Sequence, residues 1–129
     1  MSKPLLDFRI DTPVDKEAII KTMGTEKMFL MMIGKFEAMT LAPILKSLAE
    51  ILDKQEGDEA EIALAFKNKM HQLKGAASYM GAGVVYYASN QVQIMYLANK
   101  LDEMYAYYQT VMEAALSVLC EIDRVAPTK

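Results

Sequence analysis

Residues 58–83, DEAEIALAFKNKMHQLKGAASYMGAG, decide how this chain is organised. Asp58 followed three residues later by Glu61 is a capping-box pattern, in which two side chains and two otherwise free backbone N–H groups satisfy one another at a helix start. Beyond it, at about 100° per residue, Ile62, Phe66, Leu73, Ala76, Ala77 and Met80 fall on one face. Lys69 lies near that face, with a stem long enough to carry its charge past the edge. The pattern predicts an amphipathic helix over about Glu59–Met80. Gly81-Ala82-Gly83 then turns the chain, and a connection this short commits the next helix to packing alongside.

The same punctuation organises the rest. Upstream, Gln55-Glu56-Gly57 is a break in which Gly57 suits a helix C-terminus. It closes a long apolar-periodic segment that Thr25 caps and that runs from Glu26 to about Lys54. Pro43 lies inside this segment and is expected to kink it without ending it, because the pattern resumes as ILKSLAEIL. Thr12-Pro13-Val14-Asp15 predicts a shorter helix ending near Gly24, with Thr12 as cap and proline in the first turn. Downstream, one helix is expected over about Val84–Asn99 and a last one over about Asp102–Val125, ahead of Pro127. The expected fold is all-α: an up-and-down antiparallel four-helix bundle with a short additional N-terminal helix. It forms a single domain over residues 1–129, the bundle spanning about 10–126.

Composition agrees with this class. A chain of 129 residues, 53% of them hydrophobic, buries a core as one domain without staples. Leu, Ala, Met, Lys and Glu dominate, and Gly and Pro are few, which is the vocabulary of helices. A formal net charge of −3 argues against nucleic acid as a partner. One histidine and one cysteine leave no ligand set for a structural zinc. Cys120 lies in the apolar run ALSVLCEI and is expected to be a reduced core thiol, which suits an intracellular compartment. No apolar run is read as reaching the roughly 18 residues of a membrane span, and MSKPLLDFRID has no signal-peptide core. The methionine-rich KMFLMMIGKF reads as adaptable core. Tyr86, Tyr87, Tyr96, Tyr105, Tyr107 and Tyr108 read as amphipathic packing at helix edges.

The chemistry concentrates around His71, the single histidine. It falls nearly opposite the core stripe, so periodicity argues against a buried histidine, although an ordinary surface residue would sit there too. Its neighbours argue for more. Lys67 and Lys74, four residues before and three after, flank the imidazole on the helix surface. Gly75 and Ser78 continue the same side, and Ala60, Leu64 and Ala82 extend it as a strip of small and apolar residues. A mid-helix glycine costs about 1 kcal/mol relative to alanine, so something should offset Gly75. The bare backbone leaves room for a bulky group, and the lysines supply charge for an anion on the ring. Neutral imidazole is a competent nucleophile that can hold a phosphoryl group. Phosphoryl transfer asks mainly for in-line access and charge stabilisation. No Gly-rich nucleotide loop, serine elbow or acidic magnesium cluster completes an independent active site.

With those residues in view, the sequence resembles the histidine-containing phosphotransfer (HPt) domains of multistep two-component relays. Their signature, His-x-Leu-Lys-Gly, two small residues and a later glycine, reads here as His71-Gln72-Leu73-Lys74-Gly75-Ala76-Ala77 with Gly81. HQLKG looks especially like the stand-alone eukaryotic members. The resemblance implies that His71 is the phosphorylated nucleophile, Lys74 the stabiliser of its phosphoryl group and Gly75 the clearance position. Gln93, 22 residues beyond His71, would orient the imidazole, and Leu64, Lys67, Ser78 and Ala82 would belong to the docking surface. Many members carry serine where Ala76 and Ala77 stand, so hydroxyl help would fall to Ser78. The family's partners are receiver domains of hybrid sensor histidine kinases and of response regulators. The implied protein is a phosphocarrier, not an enzyme, and has no cofactor of its own; Mg²⁺ belongs to the receiver. A cytoplasmic monomer is expected, without nucleic acid or membrane, the nucleus being open to a eukaryotic member. The ends MSKP and VAPTK favour a free-standing protein over a module of a larger kinase. A helical adaptor that docks receivers or other proteins without carrying phosphate is the competing reading.

Overall fold

The computed structural model describes residues 13–125, and their regular structure is helical throughout. The helices are α1 (Lys16–Met23), α2 (Glu26–Phe36), α3 (Ala42–Lys54), α4 (Glu59–Tyr79), α5 (Gly83–Leu97), α6 (Leu101–Ala106) and α7 (Tyr108–Val125). A π-helical turn, Glu37–Leu41, joins α2 to α3. Thr25 caps α2 by accepting from the Met28 N–H at 3.1 Å. Asp58 and Glu61 form the expected reciprocal box, at 2.8 and 2.9 Å. Just ahead of Pro43, where a kink is expected, the helix passes through the π turn. Proline has no N–H for the carbonyl four residues back and its ring crowds that carbonyl. Immediately before it the Ala42 N–H bonds the Glu37 carbonyl, five residues back, which widens the turn.

Three expectations about side chains are corrected. Phe29, Ile33 and Phe36 take the core positions of α2, while Met28 and Met31 within the methionine-rich run, and Met39 just beyond it, are exposed and Met32 is half-buried, so the run's methionines are not its buried core. Cys120 is exposed and not a core thiol, since the buried spacing of α7 passes through Val111, Ala115, Val118 and Ile122. On α4, Met70 and Ala63 are buried alongside Phe66, Leu73 and Ala77, while Ile62 and Ala76 are only half-buried.

One expectation about apolarity and one about an element change as well. The segment Glu26–Lys54 is the expected single helical run, 29 residues long, but it holds an 18-residue window of mean hydropathy 1.5, against the expectation of no apolar run of that length. By length and composition it could cross a membrane, and 28% of that window is buried inside the protein. The last helix is divided at Tyr107, where the rings of Tyr105 and Tyr108 close on Phe66 from either side of the break. Their centroids lie 5.2 and 6.1 Å from its own. Burial, and then the Glu59 carboxylate, pushes the Tyr105 hydroxyl pKa up. Of the other tyrosines, Tyr86, Tyr96 and Tyr107 are half-buried against the core as expected, whereas Tyr87 is exposed.

The turn after α4 is held by α1. Thr12 lies outside the described residues; the cap of α1 is Asp15, whose carboxylate accepts from the Ala18 N–H at 3.2 Å. The Asp15 backbone N–H in turn donates to the Gly81 carbonyl at 2.9 Å. Gly81 has φ +63°, and a Cβ there would stand 3.3 Å from the Ile19 side chain and 3.4 Å from Asp15 Cβ. Left-handed backbone and close packing coincide, so Gly81→Ala should lower stability by about 1–3 kcal/mol, read as a shifted urea midpoint. An unchanged midpoint would mean that α1 is not tightly seated on this turn.

Candidate functional site

α4 and α5 are antiparallel neighbours, because late positions of one meet early positions of the other: Lys74 meets Tyr86, and Lys67 meets Gln93 and Tyr96. His71 stands between these two crossings on the exposed side of α4. Its placement follows from the stripe of Phe66, Met70, Leu73 and Ala77, which turns that side of the helix inward and leaves position 71 outside.

The two lysines are half-buried and both reach toward α5. The Lys67 ammonium lies 5.3 Å from the Tyr96 ring centroid, and the Lys74 ammonium 5.8 Å from that of Tyr86. Two positive charges, one turn before and one turn after His71 on α4, are therefore drawn toward α5. The tyrosine faces are what the two ammonium groups meet. Gly75, one turn beyond His71, is exposed, and a Cβ built there meets nothing within 4 Å. No neighbour among the described residues requires glycine at that position.

The remaining predicted site residues divide. Leu64 is 45% exposed, one turn below Lys67, as a docking residue must be. Ser78 is half-buried, and its hydroxyl donates to the Gly75 carbonyl at 2.7 Å, so its proton is turned back onto the helix. Ala82 is fully buried and is withdrawn from the docking surface. The helical spacing does not continue to position 82: the helix stops at Tyr79, and the Ala82 N–H turns back to the Ala77 carbonyl at 2.9 Å. Gln93 reaches α4 at the level of His71, but its amide nitrogen donates to the Lys67 carbonyl at 3.0 Å. In an α-helix that carbonyl is the acceptor of the His71 N–H. The contact fixes the backbone beneath His71 and is not a bond to the ring.

Sequence reasoning treated Tyr86 and Tyr96 as packing and missed their lysine contacts. The signal was the short Gly81–Gly83 turn, which makes positions in α4 and α5 with a nearly constant sum of residue numbers face each other. Among the described residues no three His, Cys, Asp or Glu side chains come together as a metal site. A groove between α3 and α4, lined by Ser47, Glu50, Lys54, Ile62 and Lys69, does not include His71. Comparison with protein-family models, with curated proteins and with solved structures gives no match to this chain.

Proposed function

We propose that this protein is a histidine phosphotransfer intermediate, which accepts a phosphoryl group from a receiver-domain aspartate on His71 and passes it to another receiver-domain aspartate. The observation that carries the reading is Gly75: a helix-weakening residue, beside an exposed imidazole, at a position where an added Cβ would meet no neighbour within 4 Å. Access for a second protein gives that glycine a purpose. The bundle belongs to the same proposal. α3 adjoins α4, α4 adjoins α5, α5 adjoins α7 and α7 adjoins α2, a closed ring of neighbours suited to an up-and-down four-helix arrangement with α1 outside it.

In the forward step a ring nitrogen of neutral His71 attacks the phosphorus of the aspartyl phosphate. The N–P bond forms as the P–O bond to the aspartate breaks, and the electron pair leaves with the carboxylate. Reversal onto a second aspartate completes the relay; Mg²⁺, where the receiver holds it, would supply charge stabilisation for the transferring oxygens. Lys74 and Lys67 supply charge from the carrier's side. The partners are receiver domains of hybrid kinases and response regulators, met in the cytoplasm by a monomeric carrier with no kinase activity or cofactor of its own.

The test is incubation with a phosphorylated receiver and Mg²⁺, followed by mapping of acid-labile phosphate. Label on the peptide containing His71 is expected. A stable complex with receivers and no label on any residue would replace the carrier with a helical adaptor.

A further inference from the structure

We infer that Tyr86 is a positioning residue for phosphoryl transfer: its ring holds the Lys74 ammonium at the α5 flank of His71. This rests on the carrier reading above. Lysine has a flexible stem and loses rotamer freedom wherever it is fixed, so an ammonium that must meet a phosphoryl group gains from being held in advance. The face of a tyrosine attracts a cation without consuming its N–H donors, whereas a carboxylate would neutralise the charge and compete with the phosphoryl oxygens. Lys74 lies 5.8 Å from the centre of such a face. Lys67, on the other side of His71, repeats the arrangement at 5.3 Å with Tyr96, so both cations beside the imidazole are handled alike. The Gln93 bond to the Lys67 carbonyl keeps α5 in register with α4, which sets the distance between rings and ammonium groups.

The experiment combines a spectrum with a double-mutant cycle on the full chain. In the NMR spectrum of the unphosphorylated protein, the Lys74 ε-methylene protons should be shifted upfield by the Tyr86 ring. Tyr86→Phe, which keeps the ring, should retain the shift, and Tyr86→Leu should lose it. Labelling by phosphoramidate and the lifetime of phosphohistidine are then measured for each variant. Tyr86→Leu should slow acceptance or shorten the lifetime by about two- to fivefold, the scale of one exposed cation–π contact. Tyr86→Phe should rescue it, and in a Lys74→Ala background Tyr86→Leu should have no further effect. An effect of Tyr86→Leu that persists without Lys74, or one that Phe shares, would overturn the proposal by assigning Tyr86 to general packing or to its hydroxyl. An absent upfield shift would overturn it as well. Failure of the wild-type protein to label would instead retire the carrier reading, which the spectrum does not touch.

Discussion

His71→Gln should abolish phosphoryl acceptance from every donor while leaving the fold unchanged. The side chain is exposed on α4 and the core stripe of that helix runs through Phe66, Met70, Leu73 and Ala77, so the substitution removes a nucleophile and no buried contact. Stability should stay within about 0.5 kcal/mol of wild type, as for other exposed helix positions. Glutamine keeps polarity and helix propensity but cannot form a phosphoramidate of comparable reactivity. Two measurements decide it: incorporation of acid-labile phosphate, expected to fall to background, and a urea midpoint, expected not to move. With one histidine in the chain, no second imidazole can stand in. Residual label at the wild-type level would put the chemistry on another residue and remove the basis of the proposal.

The helices were legible in the sequence to the extent that local chemistry specifies them. Thr25, Asp58 and Glu61 cap as their residue types require, because an N-cap is decided by a side-chain oxygen and N–H groups within three residues. The exposed position of His71 followed from a period of 3.6 and one apolar stripe. What local pattern could not supply was anything set by a neighbouring helix or by the end of an element. Ala82 falls on the surface only if a helical period is carried through a turn that ends it, and it is buried. Cys120 sits in an apolar run yet lies off the buried spacing of α7, and Met28, Met31 and Met39 are as apolar as the phenylalanines between them. Hydrophobicity names candidates for burial, and rotation of the helix against its neighbours chooses among them. The same holds at the site. His71, Lys74 and Gly75 are adjacent in sequence and could be read together, whereas the tyrosine faces that receive the lysines come from another helix.

Gly75 separates stability from relay. As a solvent-exposed helical glycine with no atom within 4 Å of an added Cβ, it should yield a more stable domain when replaced by alanine, by up to about 1 kcal/mol. Gly75→Gln should likewise keep or raise the melting temperature, since glutamine is a good helix former and its Cβ would stand in open space at this position. The Ser78 hydroxyl bonds the Gly75 carbonyl, a backbone atom, and this contact survives either change. Relay should behave in the opposite way. The glutamine side chain would stand one turn from His71, in the space through which a receiver must bring its aspartyl phosphate. In-line transfer tolerates little displacement, and a misplacement of about 1 Å can cost on the order of a hundredfold in rate. A small donor such as phosphoramidate does not need that space. Gly75→Gln should therefore retain labelling by phosphoramidate, lose transfer to and from receivers by about a hundredfold, and melt no lower than wild type. Equal loss with both donors would show damage to the imidazole's surroundings instead of to access. A variant that melts early and relays normally would mean that glycine serves the backbone of α4 and that the bare patch beside His71 has no bearing on its partners.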